Sequence, residues 1–477
     1  MRASVSTPSQ FPSCARPHFN PGGRLCWGRL HAISLSIMSN EGHVHSNRLT
    51  FKTHGDLPLV SQTIREHSRH IDMSGGLEFA KLVTVPGSTT MHVYARRPRR
   101  ALASFVLLCV ASTWLIALHH SSSRDHYLSP SLIRQLLPLE SSPATDSHAS
   151  FGKATQTACR AHGFTARDEL EQPVKIYDLV LLSTELDWLE IRLHTLADYV
   201  DYFVILVSST TSTGNAKPLY LKDHWDSVKD FHHKIIYRVV EDMVHSQRIW
   251  DHEDFFRDAL FSSVFPTLEN TVAQARFGDV LVVSDMDEIL RPETLLLLRY
   301  CHIPARLTFR THFYYYSFQW LHQGPQWSHP DATVFRGPAT VKPNDLRQGL
   351  LEGRWTISAA IRRWWDRGTL WNAGWHCSSC FDTVSETITK MNSFSHQGWN
   401  TAENRNRSTL VSRVQAGKDL FGRADQSYSR VEANADIPSY ILQQHQLNSR
   451  FGYLLDRDGV SAGFEDYLAP ATIPLLD

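Results

Sequence analysis

The sequence predicts an α/β protein: a mostly parallel sheet flanked by helices, set behind a single N-terminal transmembrane anchor. Three observations carry this reading. Strand-length runs rich in apolar residues recur at Tyr177–Leu182, Tyr202–Val207, Lys234–Val240 and Asp279–Val283. Segments with helical apolar spacing lie between them. An uncharged stretch of 18 residues, Ala101–Leu118, precedes them all.

The anchor comes first along the chain. Eighteen residues without a charge is at the short end of what crosses a bilayer. RRPRR (Arg96–Arg100) flanks one side, and only Arg124 lies near the other. That asymmetry puts the N-terminus in the cytoplasm and the rest of the chain in the lumen, a single-pass type II arrangement. A short span suits a Golgi or early secretory membrane; the competing reading is a buried core helix. Residues 1–95, rich in Ser, Arg, His, Pro and Gly and without periodicity, read as a disordered cytoplasmic tail. Residues 96–118 hold the basic flank and the anchor. Residues 119–173, with SSSRDHYLSPS and LESSPATDSHAS, read as a stem. One globular domain follows over 174–462, and 463–477 form a C-terminal tail.

Composition narrows the classes. The chain has 477 residues and a formal net charge of zero, so no global basic field points to nucleic acid. Its 26 histidines are scattered, which argues against a ligand cluster. Four cysteines follow the span: Cys159, Cys301, Cys377 and Cys380. An even count fits an oxidising compartment and allows three pairings; Cys377 with Cys380 and Cys159 with Cys301 is the preferred set. Half a zinc site is the alternative for Cys377-Ser-Ser-Cys380, but no second Cys-x-x-Cys completes it. Asn406-Arg407-Ser408 is a glycosylation sequon, consistent with a lumenal face.

Within the domain, YDLVLL is a continuous apolar run, as a strand covered on both faces requires. The next segment places Leu189, Leu193, Leu196 and Val200 on one helical face. YFVILV then supplies a second strand, so strand, helix and strand make a βαβ unit and a parallel sheet. KIIYRVV is a third strand. Trp250–Leu268 reads as a helix with Phe256, Leu260 and Val264 aligned, and DVLVV is a fourth strand. Pro292 and Glu293 open another helix. The aromatic run Phe313–Trp320 is either core or a sugar-stacking surface.

The fourth strand ends in clustered acid: Asp285, Asp287 and Glu288. Parallel α/β sheets bind ligands at the carboxyl ends of their strands. Two carboxylates there can hold a hard divalent cation, Mn²⁺ or Mg²⁺, which in turn holds phosphate oxygens. In extended backbone both side chains would point the same way. A second Asp-x-Asp, Asp456 and Asp458 in LLDRDG, lacks a strand before it and reads as a turn. Two chemistries use an acidic pair in this position. A phosphatase would attack through the first Asp, but its usual Thr or Val is replaced by Ile289. Sugar transfer from a nucleotide diphosphate uses the cation on the leaving group, and the anchor favours it. A lumenal glycan-binding protein without activity is a third class.

Three separated blocks resemble glycosyltransferase family 17: TELDWLEIRLHTLADYVDYFVI (Thr184–Ile205), DVLVVSDMDEI (Asp279–Ile289) and NAGWHCSSCF (Asn372–Phe381). KPLY (Lys217–Tyr220), YSFQW (Tyr316–Trp320) and IPSYIL (Ile437–Leu442) match more loosely. The resemblance implies a GT-A-like fold over 174–462, a divalent cation, an inverting mechanism and a UDP-sugar donor, with UDP-GlcNAc expected. It also implies a glycan or glycoprotein acceptor, with β-1,4 transfer to mannose of N-glycans. Asp285 and Asp287 match the family's Asp-x-Asp as metal ligands, with Asp287 the more direct. Glu288 matches the acid that follows, and His376 would complete the metal site or orient the diphosphate. Glu185 and Glu190 match the first block, where the loop after strand one should meet the nucleotide. Arg257 matches an arginine that could pair with an acid or a phosphate. Ser208 ends the second strand on the donor side, but Val207 stands before it where the family carries Glu. Leu290 and Arg291 intervene where the family often places Pro directly after Asp-Glu-Ile. The acceptor region between Trp320 and Trp371 shares little. An inverting transfer also needs a base; Glu288, Asp331 and Asp382 are the candidates, and Trp320 and Trp375 are candidates for stacking on sugars.

Overall fold

The computed structural model describes residues 104–112, 114–115, 125–137, 148–168, 173–211, 214–246, 248–349, 365–393 and 397–468. The tail read over 1–95 lies outside the described residues. Of the anchor run, 104–112 and 114–115 are helical, with Phe105, Leu107, Leu108 and Trp114 exposed. Among the described residues no helix is long and apolar enough to cross a membrane.

The four apolar runs form β1 (Ile176–Leu181), β2 (Tyr202–Ser208), β3 (Ile235–Val240) and β4 (Val280–Ser284). They lie parallel in the order β4-β1-β2-β3, with Leu179 opposite both Val204 and Val283. Alternate side chains enter two different cores. Ile176, Val180, Phe203, Ile205, Val280 and Val282 face one; Tyr177, Leu179, Val204, Leu206, Leu281 and Val283 face the other. This is why the runs are continuously apolar rather than alternating.

Helix α1 (Leu186–Leu196) covers the first face with Leu189, Leu193 and Leu196, and α3 (Pro292–Tyr300) joins it with Leu295–Leu298. Helix α2 (Ile249–Ser262) covers the second with Ala259 and Leu260. The helix read as reaching Leu268 breaks after Ser262 and resumes as a 3₁₀ turn at Phe265–Leu268, where Pro266 cannot continue it. Each buried Leu, Ile or Val contributes roughly 1.5–3 kcal/mol.

The sheet continues past β4. After the short β5 (Glu288–Leu290) come β6 (Arg306–Tyr315), β7 (Ser317–His322), β8 (Asp331–Val334) and β9 (Arg367–Ser378). Strand β8 lies antiparallel between β4 and β6, and β9 is parallel to β6. Among the described residues five of the seven pairings along the main strand order are parallel, so the mostly parallel reading stands with an antiparallel insertion. Strand β5 folds back antiparallel on β9, with Glu288 opposite His376 and Leu290 opposite Gly374. A Cβ at Gly374 would lie 2.3 Å from the Ile289 carbonyl oxygen, so only glycine permits this approach.

The segment read as a stem differs from a free spacer. Asp125–Tyr127 adds a parallel edge strand to β9, and the helices Pro130–Leu136 and His148–Ala161 pack on the domain. Leu128, Ile133, Leu137 and Ala158 are buried, and Cys159 is bonded to Cys301. Too few apolar positions stand among the serines for this docking to show as periodicity. Cys377 is bonded to Cys380, which completes the preferred pairing. The C-terminal boundary also lies later than 462. Phe464 is buried, and Asp466 accepts the Val384 and Ser385 N–H groups ahead of helix α5 (Val384–Ser393).

Candidate active site

Strand β4 ends at Ser284, and the backbone turns at once. Glu288 N–H donates to the Asp285 carbonyl at 3.1 Å, closing a four-residue turn into β5. The two aspartates therefore do not stand on extended backbone and face different neighbours. A buried arginine supports the turn from below. Arg192 of α1 donates to Asp178 of β1 from Nε and Nη2, at 2.6 Å each. Its Nη1 reaches the carbonyls of Asp285, Met286 and Glu288 at 3.2, 3.3 and 2.9 Å, and Nη2 also meets Ser284 Oγ.

Asp285 is 43% exposed; its carboxylate takes Arg347 at 2.9 Å and Arg257 at 3.5 Å. Arg257 also holds Glu253 at 2.8 Å. Glu288 is fully enclosed. Arg347 Nη1 and Nη2 contact its two oxygens at 2.8 and 3.0 Å, Trp327 Nε1 donates at 2.8 Å, and the Asp285 N–H donates at 2.9 Å. Burial works to raise this carboxyl, but the Arg347 guanidinium outweighs it and holds Glu288 well below the usual range. Arg347 comes from α4 (Pro343–Arg347), outside the sequence blocks that carry the resemblance, so sequence reasoning had no reason to single it out.

Asp287 is 13% exposed and faces His376, with Nε2 to Oδ1 at 3.7 Å. Burial pushes its carboxyl up, against the pull of His376 and Lys390. The His376 ring stacks on Phe313 with centroids 5.0 Å apart and packs against Trp327 at 4.9 Å, while its buried Nδ1 has no hydrogen-bond partner among the described residues.

On the other side of the turn, Glu185 precedes α1. Its carboxylate takes Lys390 of α5 at 2.7 Å and the N–H groups of Ser183 and Thr184. Burial opposes its charge, but Lys390 wins and lowers the carboxyl to about 2. Ser208 Oγ accepts the Thr210 N–H at 3.1 Å at the end of β2. Lys217 Nζ reaches Ser183 Oγ at 3.1 Å.

Several of these groups line one cavity of about 610 Å³. Glu185, Ser208 and Lys217 stand at the end formed by β1 and β2. Asp285, Asp287, Arg257, His376 and Lys390 lie in its middle, and Phe313, Tyr315, Trp327, Trp399 and Phe421 form an aromatic end. A cavity of about 650 Å³ lies at the opposite ends of the strands, around Gly278 and Asp279. Parallel sheets bind ligands at their carboxyl ends, so the cavity at the acidic turn is the candidate site.

Other residues singled out in the sequence fall elsewhere. Glu190 points away from the cavity and binds Arg450 and Tyr440. Asp331 is buried against Thr308 and His329, and neither it nor Asp382 lines the cavity. Trp375 is buried under Arg291, and Trp320 packs near Arg430. Among the described residues no three His, Cys, Asp or Glu side chains converge as a metal-binding group.

The sequence pattern of glycosyltransferase family 17 matches residues 98–345 and 359–455, a span that holds the whole acidic turn with Arg192, Arg257, Trp327 and His376, while Arg347 falls between the two matched segments. Over 306 residues the chain is 24% identical to a β-1,4-mannosyl-glycoprotein 4-β-N-acetylglucosaminyltransferase of Homo sapiens, covering 60% of this chain and 56% of that protein. The proteins of the same name from Rattus norvegicus and Mus musculus are each 23% identical over 306 residues, covering 60% of this chain and 55% of theirs. The chain thus spans little more than half the length of the curated relatives it matches. With the pattern matching well over half of its residues, the chain belongs to glycosyltransferase family 17.

Proposed function

We propose that this protein transfers a sugar, GlcNAc, from a UDP-sugar to a glycan acceptor with inversion, as a β-1,4 linkage on mannose of N-glycans. One observation carries the reading: the acidic turn after β4 opens into a cavity at the carboxyl ends of β1 and β2, in a chain of this family. The relatives' names supply the donor sugar and the linkage. The uridine would lie over the ends of β1 and β2, near Ser208 and Glu185. The diphosphate would lie toward Asp285 and Asp287, and the acceptor at the aromatic end.

A divalent cation fits these residues as a two-carboxylate site. Asp285 and Asp287 are hard oxygen donors on one turn, and a third protein ligand is not needed where diphosphate and water complete the shell. Charge supports this. Among the described residues lining the cavity, four carboxylates (Glu185, Glu253, Asp285, Asp287) face four cations (Lys217, Arg257, Lys390, Arg423). A diphosphate entering so balanced a cavity brings uncompensated charge. Bound Mn²⁺ or Mg²⁺ would neutralise charge developing on the leaving diphosphate. Arg257 and Arg347 hold Asp285 in place. We assign Glu288 to fixing the turn and Arg347 rather than to taking the acceptor's proton, because all its contacts are internal and it has no surface in the cavity.

The same proposal places the domain in the lumen of a Golgi or early secretory membrane, behind the run 101–118. The two disulfides support an oxidising compartment. The test is turnover of UDP-GlcNAc by the full chain with Mn²⁺ and an N-glycan panel, read by mass spectrometry of the product. Transfer that disappears in Asp287→Ala is the expected result. Phosphate release from simple esters, or glycan binding without turnover, would replace this reading with a phosphatase or a lectin.

A further inference from the structure

Glu185 has more positive charge around it than one carboxylate requires. Lys390 Nζ lies 2.7 Å from its Oε1, and two backbone N–H groups already satisfy its Oε2. Lys217 feels the charge of the same carboxylate at longer range, with its Nζ anchored on Ser183 Oγ at 3.1 Å and the Leu182 carbonyl at 3.5 Å. Two ammonium groups therefore serve one buried acid at the carboxyl ends of β1 and β2.

The two lysines are not equivalent. Val384, Thr387 and Met391 bury one face of α5, and Lys390 stands on the edge of that face, in the cavity wall. Its side chain keeps 36% exposure where Glu185 keeps 6%. It also feels the charges of Asp287 and Asp285 across the cavity. An ammonium so placed lies between the loop after β1 and the acidic turn, the gap a nucleoside diphosphate would bridge. The plainer reading is that Lys390 only neutralises Glu185. Two backbone N–H groups and the longer-range charge of Lys217 also offset Glu185, which leaves Lys390 able to turn to a second anion.

We propose that Lys390 is a diphosphate-binding residue of the donor site: Glu185 holds its ammonium at the cavity wall, and an entering nucleoside diphosphate takes it as hydrogen-bond donor and counter-charge while the Ser183 and Thr184 N–H groups stay on Glu185. This rests on the nucleotide-sugar reading above. An ammonium suits the role, being a compact charge with three donors on a flexible stem that can move between two anions.

The experiment is calorimetric titration of the full chain with UDP and with uridine, each with and without Mn²⁺. The variants are Lys390→Ala, Lys390→Arg and the double variant Glu185→Gln/Lys390→Ala; thermal melts confirm that each is folded. In Lys390→Ala the Kd for UDP should rise about tenfold, the loss of one charge-assisted hydrogen bond, while uridine changes by less than about twofold. Lys390→Arg should recover most of the UDP affinity. The double variant removes both members of the pair, so a merely structural role predicts that UDP and uridine shift in it by the same factor. A loss that persists in the double variant for UDP and not for uridine supports diphosphate contact. Recovery in the double variant, or equal weakening of UDP and uridine, overturns it. If the wild-type chain binds neither UDP nor uridine, the donor reading itself has failed and this assignment goes with it.

Discussion

Arg192 and Asp178 are bonded through two contacts of 2.6 Å, and the arginine uses its remaining nitrogen on the carbonyls of the acidic turn. The side chains are 0% and 2% exposed. The pair joins α1 to β1 and at the same time fixes where Asp285 and Asp287 stand. A buried pair gives little net stability as a whole, but losing one partner leaves a charge without compensation, which costs about 3–5 kcal/mol.

Arg192→Met should therefore destabilise the fold by about that amount in denaturant titration. Arg192→Met/Asp178→Leu should regain much of it, because no buried charge is left alone. The double variant should still bind UDP poorly with Mn²⁺, since the turn carbonyls have lost their donor. Wild-type affinity in the double variant would mean that the turn holds its shape without Arg192.

Glu288→Gln separates a structural acid from a base. With Glu288 paired to Arg347, the substitution should lower the melting temperature and reduce kcat/KM, yet leave the acidic limb of the pH–rate profile where it was. A working base would take that limb with it. The sign for stability follows from the depressed carboxyl: its contribution is complete above the ordinary glutamate range and is lost as pH falls. The wild type and Glu288→Gln should thus converge in stability on acidification.

Much of this architecture is legible in the chain itself. The runs at β1, β2 and β4 are apolar on both faces, Asp178 apart, because two cores flank them, and that pattern is plain in the residues themselves. The acidic turn is equally plain. The groups that position it are harder to find, since each joins segments far apart: Arg192 to the turn, Arg347 to Glu288, Lys390 to Glu185. One signal was present. Asp178 interrupts a strand that is otherwise apolar, and Arg192 interrupts the apolar face of α1; a charge in such a place requires a buried partner. The second Asp-x-Asp shows the reverse. Asp458 binds Arg430 at the surface, and the residue that is buried there is Arg457, which donates to the carbonyls of Tyr316, Phe381 and Ala462. Spacing alone would have ranked the two motifs equally.

Asp382 should make neutral pH slightly unfavourable to the fold. Burial, with the charges of Glu465, Asp187 and Glu386, pushes its carboxyl up to about 6. The native state then holds a proton that the unfolded chain has released, so stability falls as pH rises from about 4 through 6. Asp382→Asn should raise the melting temperature at pH 7.5 and have little effect at pH 4, measured by scanning calorimetry. An equal gain at both values would point to a cause other than charge.

The docked segment before β1 should be required for a stable domain. Cys159→Ser opens the bond to Cys301, which closes 142 residues of chain, and removing a bond of this kind typically costs about 2–5 kcal/mol. Deleting residues 125–168 also strips the strand paired with Thr369–Trp371 and exposes Ile133 and Leu137's partners in the core. Chains beginning at 173 should melt well below the full protein or fail to fold. Equal melting temperatures would restore the segment to the status of a spacer.

Asp285 and Asp287 should respond differently to loss of charge, although they stand on one turn. Asp285 takes two guanidinium groups, Arg347 and Arg257, whereas Asp287 faces His376 at 3.7 Å. Asn at 285 keeps the shape and removes the anion those arginines share, so their positive charge is felt more strongly in the cavity. UDP should then bind a few-fold more tightly in EDTA than to the wild type, and the gain on adding Mn²⁺ should shrink. Asn at 287 sets no arginine loose; it should lose the Mn²⁺-dependent gain without any tightening in EDTA. Titrating UDP against both variants with Mn²⁺ and with EDTA tests the distinction. Identical behaviour of the two would mean that the arginines at Asp285 do not reach the diphosphate, and that the two carboxylates act as one charge.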